Sequence, residues 1–246
     1  MYYFASDVHL GAGGEQWTRH TEQRFVRWLD MAASDADGIF LLGDIFDFWW
    51  EYRKVVPKGF VRTFGKLAEL TDRGVKIYLI TGNHDMWAKD YLKQECGVEV
   101  FFTPQQIKLS GKNLFLAHGD NMNVGNKPML KLMNTGFRSP MLRTLFSWLI
   151  HPDIAMSFGQ WWSGKSRKSH SGGYLCVEPL GFLIEYAKGY QKRNPQTDYI
   201  IFGHMHFAHD YEKDGLRVCF LSNWDDKVEY AVLDNEGKLS LKTFKK

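Results

Sequence analysis

The chain has 246 residues, with 31 Lys+Arg against 28 Asp+Glu for a net charge of +3, and 44% of its residues are hydrophobic. This fits a single α/β domain over residues 1–246; it excludes a disordered chain and gives no charge-based reason to expect a nucleic-acid partner. Aromatics make up 15%, including 9 Trp and 18 Phe, although the mean hydropathy is −0.35, so apolar surface is expected to have a use outside the core.

The N-terminus runs straight into an apolar strand pattern with no basic leader, and no stretch reaches the roughly 18 uninterrupted apolar residues of a membrane span. Cys96, Cys176 and Cys219 are widely spaced and form no C-x-x-C pair, which argues against a disulfide framework and for a reducing compartment. The expected location is the cytoplasm, peripheral to the inner membrane at most.

In chain order, the apolar run Tyr2–Ser6 leads into Asp7-Val8-His9. A helix is expected over Thr18–Ala33, with Thr18 as N-cap and Phe25, Trp28, Leu29 and Ala32 on one face. Gly38–Leu42 leads into Gly43-Asp44. A second helix over Phe60–Arg73 has Gly74 as its stop. Val75–Thr81 leads into Gly82-Asn83-His84-Asp85, and Asn113–Ala117 into His118-Gly119-Asp120. Residues 121–175 then break the rhythm. This segment is rich in Met, Phe and Trp, and carries seven Lys and Arg residues against Asp153 alone, a net +6. After it, Asp198–Phe202 leads into Gly203-His204-Met205-His206. Leu216–Ser222, Val228–Leu233 and Leu239–Phe244 read as an antiparallel meander. Strands alternating with helices predict a layered α/β fold with a helical insertion at about 121–175.

A single D-x-H or H-x-H is ordinary turn chemistry. Five strand ends that deliver Asp7, His9, Asp44, Asn83, His118, His204 and His206 in order are not, because sites in α/β sheets form at the carboxyl ends of strands. Carboxylate, imidazole and one amide oxygen, without thiolate, suit Mn²⁺, Fe²⁺ or Zn²⁺. Seven donors exceed one tetrahedral ion and fit two if a carboxylate bridges. Asp44, central in the order, is the expected bridge.

The series D-x-H, G-D-x-x-D, G-N-H-D, H-G-D, G-H-x-H, spanning Asp7 to His206, resembles the calcineurin-like metallophosphoesterases. The resemblance implies a four-layer α/β/β/α sandwich and two divalent ions, with Mn²⁺ first in expectation. One ion would be held by Asp7, His9, Asp44 and His206, the other by Asp44, Asn83, His118 and His204. It also implies an Asp47–His84 pair beside the metals, with the imidazole binding the phosphoryl group or protonating the leaving group. A carboxylate beside it would keep that imidazole charged. Asp85 and Asp120 are expected to support ligands by hydrogen bonds.

Within the family, Gly43-Asp44-Ile45-Phe46-Asp47-Phe48-Trp49, the helical insertion and Leu221-Ser222-Asn223-Trp224 resemble the branch that cleaves UDP-2,3-diacylglucosamine in lipid A biosynthesis. That branch usually has Arg where this chain has His84. The implied substrate is a nucleotide-linked acylated glucosamine, reached at the inner face of the membrane. The aromatic, basic insertion would meet acyl chains or lipid, and Lys165, Arg167, Lys168 and Trp224 are the expected substrate contacts. Two other readings stand beside this one. The first is a phosphodiesterase or phosphomonoesterase acting on another nucleotide or soluble phosphoester. The second is a binding module that kept the fold and lost catalysis.

Overall fold

A computed structural model describes residues 1–122, 135–170, 181–225 and 227–245, with backbone alone for 165–170. Its elements are β1 (Tyr2–Ala5), α1 (Glu15–Ala32), β2 (Gly38–Leu41), α2 (Val61–Asp72), β3 (Ile77–Ile80), α3 (Tyr91–Cys96), β4 (Glu99–Phe101), β5 (Gln105–Leu109) and β6 (Lys112–Ala117). Next come α4 (Pro140–Leu149), α5 (Pro152–His170), α6 (Gly181–Arg193), β7 (Tyr199–Phe202), β8 (His209–Lys213), β9 (Leu216–Phe220), β10 (Val228–Leu233) and β11 (Leu239–Phe244).

One sheet has the order β11-β10-β1-β2-β3-β4, and the other β5-β6-β7-β9-β8. Strands β1 to β4 run parallel, as do β6, β7 and β9, while the strands at the remaining edges pair antiparallel. The continuous apolar runs of β1 and β2 are explained by burial on both faces. Tyr3, Ala5, Ile39 and Leu41 face Trp28, Leu29, Leu67 and Leu70 of α1 and α2. Their neighbours Phe4, Phe40 and Leu42 face Leu114, Leu116 and Ile201 of the second sheet. On the far side of that sheet, Phe115, Ile200 and Phe202 pack on Leu183, Ala187 and Tyr190 of α6. The layers are helix, sheet, sheet and helix, as expected.

The structure corrects several local expectations. Helix α1 begins at Glu15, and Thr18 sits inside it, its hydroxyl donating to the Ala12 carbonyl at 2.9 Å. The C-terminal strands do not form one meander. Strand β9 lies in the second sheet beside β7, and β10 and β11 belong to the first. Period-two alternation reports which side chains are buried but not which sheet buries them. The short α3, β4, β5 and β8 were not anticipated. Ser110-Gly111 (φ 44° and 77°) and Asp214-Gly215 (φ 53° and 76°) are two-residue turns with both positions left-handed.

Trp224, expected at the substrate, lies in the core instead. It is 2% exposed, its ring sits edge-on to Phe25 and Trp28 at 5.2 and 5.8 Å, and its indole N–H donates to the Ser6 carbonyl at 3.0 Å. The large apolar ring fills the space where the chain passes from one sheet to the other. Trp224→Ala should therefore destabilise the fold by about 3–5 kcal/mol, seen as a lower urea midpoint. A change below about 1 kcal/mol would contradict this core role.

Candidate metal centre

The carboxyl ends of β1, β2, β3, β6 and β7 carry all seven expected ligands. Asp7, His9, Asp44, His204 and His206 have φ between 49° and 68°, so five of the seven are left-handed. Asp and His are among the few non-glycine types that tolerate this region, at a cost of roughly 1–3 kcal/mol each. The loops after β1 and β2 stay paired past the strands, with Asp7 N donating to Gly43 O at 3.1 Å and His9 N to Asp44 O at 3.0 Å. Glycines let the loops touch. A Cβ on Gly43 would stand 2.6 Å from Gly82 N and 2.7 Å from His118 Nδ1. One on Gly203 would stand 2.7 Å from Ser6 Oγ and 2.8 Å from Asp7 Oδ2.

Among the described residues, the side chains gather in three overlapping groups linked through His9 and Asp44: Asp7 with His9 and His206, His9 and His84 with Asp44, and His118 and His204 with Asp44. His206 Nε2 is 3.3 Å from Asp7 Oδ1, His118 Nε2 is 3.2 Å from Asp44 Oδ2, and His9 Nε2 faces His206 Nε2 at 3.0 Å. The His118 Nδ1–H donates to the Leu42 carbonyl at 2.8 Å, which turns the lone pair of Nε2 inward. The buried Asn83 Oδ1 and His118 Nε2 have no hydrogen-bond partner among the described residues. Buried acceptors left without donors, aimed beside two buried carboxylates, fit cations.

The electrostatics agree. Burial acts to raise the pKa of Asp7 and Asp44, but the surrounding imidazoles outweigh it, chiefly His206 for Asp7 and His118 for Asp44, and both stay below the usual carboxylate range. For His118, burial opposes the charge, yet Asp44 and Asp7 lift it well above the usual imidazole value. Burial wins at His9 and His204, pushing both down to about 3, so both present lone pairs at neutral pH.

The calcineurin-like phosphoesterase family model matches residues 2–208. The chain belongs to this family. It is 39% identical over 246 aligned residues to a UDP-2,3-diacylglucosamine hydrolase of Porphyromonas gingivalis, covering 94% of this chain and 93% of that one. It is 30% identical to a UDP-2,3-diacylglucosamine hydrolase of Haemophilus ducreyi, covering 96% and 97%. As a calcineurin-like phosphoesterase it is a metal-dependent phosphoester hydrolase, and its clustered Asp and His residues form a divalent metal site.

His84 and Asp47 are brought together in a way the sequence did not anticipate. His84 Nδ1–H donates to the backbone carbonyl of Asp47 at 2.6 Å, not to its carboxylate. The carboxylate accepts from Ser163 Oγ at 2.7 Å and stands 3.4 Å from His9 Nδ1. His84 Nε2 is left facing Asp44 Oδ2 at 3.8 Å. Asp85 does support the site, accepting from Gly82 N at 2.7 Å and Ile45 N at 2.9 Å. Asp120 instead pairs with Arg138 at 3.0 Å.

Ser163 was missed. It lies on α5 of the insertion, is fully buried, and also stands 3.1 Å from His84 Nδ1. The available signal was the spacing of Ala155, Gly159 and Ser163, small residues four apart on an aromatic helix. All three are buried, and a Cβ on Gly159 would overlap the Phe48 ring. The insertion is pinned to the metal loops elsewhere as well. The Trp50 indole donates to Ser147 Oγ at 3.0 Å, and Arg143 donates to the carbonyls of Trp87 and Ala88 at 3.0 and 3.1 Å. Between insertion and loops lies a cavity of about 490 Å³, walled by aromatics that include Phe48, Trp50, Trp87, Phe146 and Trp162. The side chains of Lys165, Arg167 and Lys168 lie outside the described residues.

Because Asp44 stands between the His9 and His84 side chains and the His118 and His204 side chains, Asp44→Ala should lower bound Mn²⁺ from two ions per chain to one or fewer, read by elemental analysis. Two ions retained would refute the shared-carboxylate arrangement.

Proposed function

We propose that this phosphoesterase hydrolyses UDP-2,3-diacylglucosamine to UMP and 2,3-diacylglucosamine 1-phosphate. The observation that carries this reading is the aromatic cavity beside the metal centre. Its wall residue Phe48 directly follows Asp47, and its wall residue Trp87 lies three positions after His84. A volume of about 490 Å³ with aromatic walls suits flexible acyl chains and serves no purpose for a small polar phosphoester. The relatives named for this substrate support it.

The donor set of Asp7, His9, Asp44, His206, Asn83, His118 and His204, all oxygen and nitrogen, favours two Mn²⁺ over ions that prefer thiolate. When bound, such ions supply Lewis acidity toward the phosphoryl oxygens and lower the pKa of the attacking water. Water attacks the α-phosphorus, the bridging P–O bond breaks, and the bridging oxygen leaves with the lipid phosphate. His84 is positioned for that departure. Its Nδ1 is fixed by the Asp47 carbonyl, so Nε2 is the atom that meets a phosphoryl or leaving oxygen. Asp47 acts as a positioning residue, through its backbone on His84 and through its carboxylate on Ser163.

The insertion also supports a peripheral membrane role at the inner face. Among the described residues no helix is long and apolar enough to cross a bilayer. Yet Met141, Trp148, Leu149, Ile154 and Trp161 project from α4 and α5 with 62–83% of their surface exposed. Large apolar side chains on a segment of net +6 suit an anionic bilayer surface.

With Mn²⁺, turnover of UDP-2,3-diacylglucosamine should exceed that of UDP-N-acetylglucosamine at least a hundredfold in kcat/KM. Equal values would reject the lipid assignment and leave a phosphodiesterase of soluble nucleotides. His84→Ala should lower kcat by about 10²–10³-fold with both metal ions retained. An unchanged kcat would remove His84 from the chemistry.

A further inference from the structure

Ser163 is fully buried where α5 of the insertion meets the metal loops. Packing explains why a small residue stands there but not why it carries a hydroxyl. Ala155, Gly159 and Ser163 form the buried face of α5, and Gly159 lies so close to Phe48 that a Cβ there would overlap the ring. Alanine would fill the position of Ser163 equally well and bury no polar atom. A buried hydroxyl is unfavourable unless it is hydrogen-bonded, so its partners indicate what it does.

Both partners belong to the Asp47–His84 pair. Ser163 Oγ donates its single proton to Asp47 Oδ1 at 2.7 Å, and the same oxygen stands 3.1 Å from His84 Nδ1. His84 Nδ1 is also 2.6 Å from the Asp47 carbonyl oxygen. A carbonyl only accepts, so Nδ1 carries a proton, and that N–H points between the carbonyl and the lone pairs of Ser163 Oγ. A bare Nδ1 would face lone pairs on both sides. Nε2, 3.8 Å from Asp44 Oδ2, is thereby the ring atom left for an oxygen of the substrate. We infer that Ser163 is a positioning residue for phosphoester hydrolysis: it fixes the ring plane and the Nδ1–H tautomer of His84 and holds the Asp47 carboxylate off that nitrogen. The inference rests on the role proposed for His84 above, and it adds a group from outside the loops that carry the ligands.

The Asp47 carboxylate is the natural competitor for the His84 N–H, because an ionised acceptor binds more strongly than a carbonyl. Ser163 engages it first. Without the hydroxyl the carboxylate is released to turn toward Nδ1, and the imidazole turns with it. Asp47 Oδ1 also stands 3.4 Å from Nδ1 of the expected ligand His9, so the same contact steadies that ring. Because α5 supplies the hydroxyl, His84 is set only when the insertion is seated. Both metal loops help to seat it: Tyr52 Oη donates to the Ile150 carbonyl at 3.0 Å, and the Trp87 indole to the Phe137 carbonyl at 3.1 Å.

The test compares Ser163→Ala with the wild type, both loaded with Mn²⁺. For UDP-2,3-diacylglucosamine, kcat should fall roughly tenfold, because a slightly misplaced group is enough to slow the reaction that much. KM should change less than twofold, with two ions per chain retained. In a His84→Ala background the same substitution should lower kcat less than twofold further, a coupling that a merely structural role would not produce. A second readout needs no substrate. With diamagnetic Zn²⁺ in place of Mn²⁺ and ¹⁵N-labelled histidine, His84 Nδ1–H should give a slowly exchanging proton signal, identified by its loss in His84→Ala. Ser163→Ala should shift that signal or broaden it away. An unchanged kcat, a loss confined to KM, an undiminished loss in the His84→Ala background, or an unmoved Nδ1–H signal would each overturn the inference. Failure of the lipid reading shows up elsewhere, as equal turnover of acylated and unacylated substrates, and leaves the Nδ1–H signal interpretable.

Discussion

Two carboxylates with essentially no access to water, Asp7 and Asp44, govern the architecture around them. Isolated charges at such depth would be prohibitively costly, so each must be surrounded by donors and positive charge. Backbone amides answer part of this: His204 N donates to both Asp7 oxygens and His84 N donates to Asp44 Oδ1 at 2.9 Å. Those amides belong to loops from other strands, so meeting the demand of the carboxylates ties the ends of β1, β2, β3 and β7 into one knot. Imidazoles and the ions they imply answer the rest. The parallel strands, the close glycine contacts and the left-handed turns are all conditions for bringing these groups to one place.

The site was more legible in the sequence than the sheet arrangement. Ligand identity follows from short motifs at strand ends, where chemistry and backbone conformation select the same residue types. Asp and His are good ligands and are also tolerant of positive φ. Strand membership depends on pairing between distant segments, and β9 shows the limit, since its apolar run fits either sheet equally well. Trp224 shows a related limit. An aromatic residue beside a turn reads as a surface contact until the crossing between sheets makes it a core plug. The Asp47–His84 pairing was anticipated but the atom was not, because spacing cannot tell a backbone carbonyl from a carboxylate one side chain away.

Ser163 illustrates why insertions resist reading from sequence. It sits 116 residues from Asp47, with no shared motif, and contacts it only because α5 lays its small residues against the metal loops. Through that contact the segment that shapes the apolar chamber also braces the group that orients His84. On the reading proposed above, substrate recognition and chemistry are connected through the Ser163 hydroxyl, which is none of the expected ligands.

Helix α5 is amphipathic in an inverted sense: it buries Ala155, Gly159 and Ser163 while Ile154, Phe158 and Trp161 stand more than half exposed. An ordinary surface helix does the reverse. On the reading proposed above, a lipid surface would cover this outward apolar side. The consequence is one of search. Enzyme and acylated substrate then share a plane, and encounter becomes diffusion in two dimensions.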